Sequence, residues 1–490
     1  MNDTAPLVAM IVRNPVVHDA RVLREAETLV ENGYRVVLFG IKSKEDMATE
    51  EMFRGVRIVR LTPRSASLTF INTMMNAARG AERLRRRGSR QRRMLEDDAA
   101  KDGLGRAVSQ AYRRGPRSGL SATLLAPSAM FRRRRLIETA PMEHQDAADS
   151  SVLGKGLRTA NTLSRRVFMR PRSAAIALAF LKTAAKAMAD IKPDVYHCHD
   201  FNTVWAGYRA VERWKAPLVY DSHEIYAHQN VAHPTRRRRW FVEAVERRVL
   251  KRAAAVITVN ESIADYLARR YKIARPVVVM NVPWKSTPVA PAELPEPFRD
   301  DGLKILYLGG IMRGRGLEGA IRATALIPEA KLIMMGPVMR PMYQESLAKL
   351  AAELGIGDRV FFVPPVPPEA VTAVAAHATV GLAMINNICL SYYYSLPNKI
   401  FESMHAGLPV VASNFPEIRR VVEAYTVGVT CDPEDPAAIA AAIRAVIEDP
   451  QRYEQMRQNA KAAAALFTWD REAEKLRELY RSLRQRGSPA

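Results

Sequence analysis

Cysteine is nearly absent. Cys198, Cys389 and Cys431 are the only three among 490 residues, too few and too far apart for a disulfide framework or a zinc ribbon. A reducing compartment is expected. Long apolar runs are missing too: Asn2 to Met10 has no basic region followed by an apolar core, and the longest apolar run elsewhere, Ala174 to Leu181, ends at Lys182. Neither export nor membrane spanning is therefore expected. Acidic residues are in short supply, 51 against 74 Lys and Arg, for a net charge of +23. So large an excess points to a polyanionic partner, nucleic acid or an anionic membrane surface. No aromatic platform interleaves with the Arg runs, so the base-stacking signature is missing and nucleic acid is the less favoured of the two.

What is present is ordinary globular material, 48% hydrophobic and 26% charged, in a chain long enough for two packed domains. Leu7 to Arg13 is a short apolar run, Asn14-Pro15 breaks it, and Val22, Ala26, Leu29 and Val30 then share one helical face up to Gly33. Further apolar runs at Arg35 to Phe39 and Gly55 to Leu61 complete the opening of a doubly wound parallel sheet. The rhythm stops between Pro63 and Pro171. The stretch Arg64 to Arg172 holds 24 basic and 9 acidic residues, a net of +15, so it carries most of the excess. Leu68, Phe70, Ile71, Met74 and Met75 precede Arg83 and Arg85 to Arg87, and Leu124, Leu125, Met130 and Phe131 precede Arg132 to Arg135. Apolar side chains beside basic clusters suit helices lying at a lipid headgroup layer; a solvated, partly disordered insertion is the alternative.

The α/β rhythm resumes with a helix near Ala174 to Ala189, runs at Val195 to His199 and Leu218 to Asp221, an Arg- and Val-rich helix at Arg237 to Arg252, and runs at Ala255 to Val259 and Pro276 to Met280. Residues 286–300 lie in a proline-rich stretch that reads as a linker. A second α/β set follows from Lys304 to Ala412. The expected organisation is one Rossmann-like half over 1–285, with the basic insertion at about 64–172, a second over 301–467, and a C-terminal helix over 468–490.

Three segments carry chemistry. In Ser395-Leu-Pro-Asn-Lys-Ile-Phe-Glu-Ser-Met-His-Ala-Gly-Leu-Pro-Val-Val-Ala-Ser413, a helix starts near Asn398 and Glu402 lies about one turn in, where its carboxylate can accept both protons of a ribose diol. In Tyr307-Leu-Gly-Gly-Ile-Met-Arg-Gly-Arg-Gly-Leu317, a strand enters a Gly-rich turn and a helix. Gly309 and Gly310 let backbone amides approach a pyrophosphate, and Arg313 and Arg315 supply positive charge; a generic Gly-rich turn is the bland alternative. In Asp194-Val-Tyr-His-Cys-His-Asp200 and Tyr220-Asp-Ser-His-Glu224, two strands end in polar residues where a parallel sheet faces its ligand crevice. A zinc site is the rival there, though neither spacing nor a Cys partner supports one.

The first of these segments resembles the nucleotide-sugar signature of the retaining GT-B glycosyltransferases of family 4. That family carries a Glu-x7-Glu element whose second Glu contacts the donor ribose, and Glu402 matches it. The first position, which usually addresses the transferred sugar, is Tyr394 here. Ser395, Asn398 and Lys399 fall within the same signature. The family's Gly-Arg pair and Lys-Gly are matched by Gly310, in place of the Arg, and by Arg315-Gly316, which leaves Arg313 to take over the first role. The family's His-x-His places His199 towards the sugar. Asn14-Pro-Val-Val-His-Asp-Ala-Arg21 resembles the family opening, whose loop abuts the acceptor, so His18, Asp19 and Arg21 join Asp200, His223 and Glu224 as acceptor-side candidates; a helix cap at Asp19 and a surface Arg are the alternative. Phe467-Thr-Trp-Asp470 with Leu476 and Tyr480 resembles the helix that crosses back to the first half.

The resemblance implies an α/β GT-B fold and a retaining transfer from a nucleotide-sugar to a saccharide or polyprenyl-linked acceptor, in envelope or exopolysaccharide synthesis. His199, Tyr394 and Glu402 would stand at the reacting centre. No metal or cofactor is expected, since Arg side chains and helix-terminal amides can neutralise the departing diphosphate, and no Asp-x-Asp pair occurs. The expected location is cytoplasmic, peripheral at the inner membrane face. The rivals are a nucleotide-sugar 2-epimerase of the same fold and a basic membrane-surface or nucleic-acid-binding protein without catalysis.

Overall fold

The computed structural model describes residues 4–17, 19–62, 170–231, 235–283 and 293–487. Up to residue 169 the basic stretch lies outside the described residues, as do His18 and residues 284–292 within the expected linker region. The chain divides into two compact units, Thr62–Thr183 and the remainder. The larger unit holds both sheets.

Its first half is built on β1 (Leu7–Ile11), α1 (Ala20–Glu31), β2 (Arg35–Ile41), β3 (Glu50–Phe53) and β4 (Val56–Leu61). After α2 (Arg170–Asp190) come β5 (Val195–His199), α3 (Phe201–Arg213), β6 (Leu218–Ser222), α4 (Arg236–Leu250), β7 (Ala255–Thr258), α5 (Glu261–Tyr271) and β8 (Val277–Val278). These strands form a sheet in the order β3-β4-β2-β1-β5-β6-β7-β8, antiparallel only between β3 and β4. The central strands are buried on both faces and read as continuous apolar runs, as parallel strands under helices must. The β3–β4 hairpin at the edge is the departure from the expected opening; its β3 residues Glu50–Phe53 are all exposed, so no apolar run announces it.

The second half holds β9 (Leu303–Leu308), α6 (Leu317–Ala325), β10 (Ala330–Met335), α7 (Pro341–Glu353), β11 (Val360–Val363), α8 (Val371–Ala375) and β12 (Val380–Ala383). It continues with α9 (Leu390–Tyr393), α10 (Asn398–His405), β13 (Val410–Ser413), α11 (Pro416–Ala424), β14 (Gly428–Cys431), α12 (Pro436–Ile447) and α13 (Pro450–Ala464). Its parallel sheet runs β11-β10-β9-β12-β13-β14. Gly316 begins α6 at φ 68° with a Cβ position only 2.5 Å from Met384 Cβ, so this turn requires glycine.

The last helix, α14 (Trp469–Gly487), packs Trp469, Leu476 and Tyr480 into the core of the first half beside Val8, Val22 and Leu29. Trp469 Nε1 donates to Thr28 Oγ1 at 2.9 Å, and the Met280 amide donates to Glu472 Oε2 at 2.7 Å. The C-terminal end of the chain thereby closes the first domain's core.

Glu246 of α4 is buried and accepts from the hydroxyls of Tyr220 and Tyr271. Burial pushes its carboxyl up to about 7 against the pull of these hydroxyls. A carboxyl that binds its proton more tightly when folded contributes stability below its unfolded value and loses it as pH rises through the folded one. Stability should therefore fall between pH 4.5 and about 7, by up to about 3 kcal/mol from this group. Glu246→Gln should remove that component in thermal melts across the range; an unchanged pH slope would contradict it.

Candidate active site

The strand ends of the first sheet converge on one buried carboxylate. Register sets His199 of β5 opposite Asp221 of β6, and His199 Nδ1 lies 3.1 Å from Asp221 Oδ2. Arg21, one residue into α1, grips Asp221 with both Nε and Nη2 at 2.9 and 3.0 Å, and its Nη1 donates to the Val279 carbonyl. His223 Nε2 reaches Asp221 Oδ2 at 2.7 Å while its Nδ1 reaches Asp200 Oδ1 at 2.9 Å. Tyr226 donates to the same Asp200 oxygen.

Burial alone would raise Asp221, but the charges of Arg21 and His223 hold it well below the usual carboxylate range. Burial likewise opposes a charge on His223, and Asp200 with Asp221 overcomes it, raising the imidazole well above its ordinary value. Glu25, the next turn of α1, pairs with Arg21 at 3.0 Å; burial and the Asp221 charge push it up to about 7. His197 Nδ1 lies 2.8 Å from the Tyr480 hydroxyl.

Glu25, His197, His199 and Asp221 offer ligand atoms within 4.8 Å of one another, a set that could hold a metal ion. The guanidinium of Arg21 is already bonded to Asp221 and paired with Glu25, and supplies the positive charge at that point. A divalent ion would have to share the space with it at Coulombic cost.

Above this network opens a cavity of about 600 Å³. From the first half it is lined by Asp19, Arg21, His223 and Glu224, and from the second by Arg315, Ser395 and Asn398. Asp19 also caps α1, accepting from the Val22 amide. Arg21 is only 3% exposed, which corrects the alternative of a surface Arg. Burial, and then Asp200, raise the Glu224 carboxyl.

Beside the cavity, α10 carries Lys399 and Glu402. The Lys399 ammonium lies 3.6 Å from the Tyr307 ring centroid and has no hydrogen-bond partner. Burial and the neighbouring Arg315 hold its amine well below the usual range. Burial raises Glu402, opposed by Lys399 of its own helix and by Arg24 of α1. Arg315 lies over the Tyr392 ring at 5.0 Å.

Other candidates stand apart from the lining. His199 is fully buried beneath it, its Nε2 without a partner. Arg313 turns to the Tyr343 ring at 5.6 Å. Gly309 and Gly310 lie at the β9 end, outside the lining residues. The Tyr394 carbonyl accepts from Asn260 Nδ2 at 2.8 Å, and its ring packs on Tyr393. Ser262 of α5 donates its amide and hydroxyl to Glu417 Oε1 of α11, a second bond between the halves. Sequence reasoning passed over Glu25, Arg24 and Asn281; Arg24 donates to Asn281, and neither Arg24 nor Glu25 sits at a strand end or in a Gly-rich turn, where the sequence signals were sought.

Two parallel-sheet halves with polar strand ends facing one cavity define a GT-B glycosyltransferase fold. Two family models match, Glycosyltransferase Family 4 over residues 102–281 and Glycosyl transferases group 1 over residues 294–463. The chain is 30% identical over 327 residues to a D-inositol 3-phosphate glycosyltransferase of Thermobispora bispora, covering 61% of this chain and 74% of that one. Among solved structures it is similar to sucrose-phosphate synthase from Thermosynechococcus elongatus, with TM-score 0.66 and 18% identity over 98% of this chain and 100% of that one. It is also similar to Anabaena HepE in complex with UDP and glucose, with TM-score 0.60 and 13% identity over 97% of this chain and 100% of that one. The chain belongs to the group 1 glycosyltransferases and is a glycosyltransferase enzyme.

Among the described residues Asp221 is the carboxylate that Arg21, His199 and His223 share, so Asp221→Asn removes the charge that the buried Arg21 grips with two bonds and leaves Glu25 as its remaining carboxylate. We expect a loss of about 3 to 5 kcal/mol of stability, read as a lowered denaturation midpoint; a loss under about 1 kcal/mol, the size of an ordinary exposed pair, would contradict this account.

Proposed function

We propose that the enzyme moves a sugar, with retention of anomeric configuration, from a nucleotide-sugar to a saccharide or lipid-linked saccharide acceptor, in envelope polysaccharide synthesis at the inner membrane face. The observation that carries the donor side is Glu402 and Lys399 on one helix beside Arg315, next to a cavity closed by the first half. Glu402 accepts the ribose hydroxyls. Arg315 and Lys399 face the diphosphate, and Arg313 is not needed for it. The name of the HepE complex, with UDP and glucose, supports a nucleotide-sugar; the name of the Thermobispora relative supports a phosphorylated polyol as a second acceptor reading.

In the reaction, the acceptor oxygen attacks the anomeric carbon as the bond from that carbon to phosphate oxygen breaks on the same face. The acceptor proton passes to the departing phosphate oxygen, so the protein supplies position and charge more than a base. Asp19, His223 and Glu224 line the acceptor side, with His18 expected beside them; Asp200 orients His223. His199 braces the wall below the sugar. Tyr394 in place of a carboxylate leaves one less acceptor for sugar hydroxyls, which bears on sugar choice. Arg315 and Lys399 can meet the diphosphate's charge without a metal.

Glu402→Ala should weaken nucleotide-sugar binding by roughly 1.5 to 3 kcal/mol, one charge-assisted contact, with the fold intact. Thermal shift across UDP-, GDP- and ADP-sugars identifies the donor, and calorimetry with the variant checks the loss. Unchanged affinity would overturn the assignment, and epimerised sugar formed without any acceptor would favour the epimerase reading.

Lys399 gives a second test. An amine held below its usual range regains a proton when a diphosphate arrives, so binding should take up protons at pH values above the free amine's midpoint and none below it. Calorimetry with UDP in buffers of different ionisation enthalpy reads this uptake directly. Lys399→Met should abolish it; uptake that survives in the variant places the titrating group elsewhere.

A further inference from the structure

Helix α4 turns its apolar side in two directions. Val242, Val249 and Leu250 are buried with Glu246, which helical spacing puts on one face, and Val242 packs with Tyr226, Ala227 and Phe201. The opposite face carries Arg237, Trp240, Phe241, Ala244, Arg248 and Lys251, all exposed. Trp240 is 71% and Phe241 56% exposed, side chains that a monomer ordinarily covers. Arg236 and Arg239 flank them. The helix's two carboxylates add little negative charge to this face: Glu243 is paired with Arg270, and Glu246 points inward to Tyr220 and Tyr271.

We propose that this face of α4 is a docking surface for an anionic lipid bilayer, with Trp240 and Phe241 entering the headgroup and upper acyl layer and the arginines meeting lipid phosphates. An exposed Trp–Phe pair framed by arginines is the pattern of a helix lying in a membrane interface. Charge decides against the other occupants. A second copy of the chain carries +23, and the stretch Arg64 to Arg172 of the same chain carries +15, so both are repelled by the Arg-rich face. An anionic surface is attracted to it.

The placement has a consequence for the reaction. Arg238 donates to the Tyr226 carbonyl at 3.1 Å and to Gln229 at 2.7 Å, which ties the start of α4 to the loop after His223 and Glu224. On this proposal α4 links the lipid surface to the loop that follows those two cavity-lining residues. The inference rests on the membrane location proposed above and assigns it to one element.

The test uses the full chain. Sedimentation with phosphatidylglycerol-containing vesicles should exceed that with pure phosphatidylcholine vesicles and fall with added salt. Trp240→Ser with Phe241→Ser, and separately Arg236, Arg237 and Arg239→Gln, should each lower the partition about tenfold or more. Brominated phosphatidylglycerol should quench Trp fluorescence in the native chain and much less in Trp240→Phe, a readout of contact at this residue that binding through another segment does not mimic. The native vesicle partition and quenching in all these variants would overturn the role of α4 while leaving a membrane location standing. A native chain that ignores anionic vesicles overturns both, and binding of RNA lost in the same variants without any vesicle response reassigns the face. UDP binding, measured in each variant, reports separately on the glycosyltransferase reading.

Discussion

The first half of the molecule depends on a buried negative charge. Asp221 stands at the end of β6 with no solvent, and such a carboxylate persists only where neighbouring cations and hydrogen-bond donors compensate it. Arg21 arrives from α1, His199 from the adjacent strand and His223 from the loop beyond. Each partner is drawn from a different part of the chain, so the carboxylate fixes the start of α1, the β5–β6 register and the direction of the loop that lines the cavity. The network also reaches the C-terminal helix, through His197 and the Tyr480 hydroxyl. Groups far apart in sequence thus answer to one site.

This explains which parts were legible. The strands β1 and β2 are largely apolar runs, and β5, β6 and β9 are apolar with a few polar residues, so the two-sheet architecture can be read from the order of residues; Glu402 lies on the short helix α10 where the signature expects it. The apolar period of α1 likewise predicts its buried face at Val22, Ala26 and Leu29. Arg21, Arg24 and Glu25 are not part of that apolar set, and the period gives no sign that they are buried. The structure buries all three. Periodicity is blind to a charged residue whose counter-charge lies some 200 residues away, as Asp221 does from Arg21. The α4 helix shows the converse: an Arg- and Val-rich pattern announces a helix but not that Trp240 and Phe241 lie on its outer side, since aromatic residues ordinarily mark the inner one.

Tyr394 and Gly310 stand where the family pattern has a carboxylate and a guanidinium. The two departures remove one negative and one positive group relative to that pattern. Tyr394 is held by its backbone to Asn260 of the other half, which makes it a joint between the halves. The same half also holds a buried amine: Lys399 stands next to Arg315, and no acceptor reaches it.

The two sides of the cavity are therefore prepared differently. On the first side Arg21 and His223 are paired with Asp221 and Asp200. On the second side, Lys399 and Arg315 rest on the faces of Tyr307 and Tyr392, contacts that compensate a cation less fully than a carboxylate does. Burial and Arg315 hold the Lys399 amine well below its usual range, with Glu402 pulling the other way. On the reading proposed above, the less fully compensated cations lie on the half that would take the nucleotide, and the Asp221 network lies on the half that would take the acceptor.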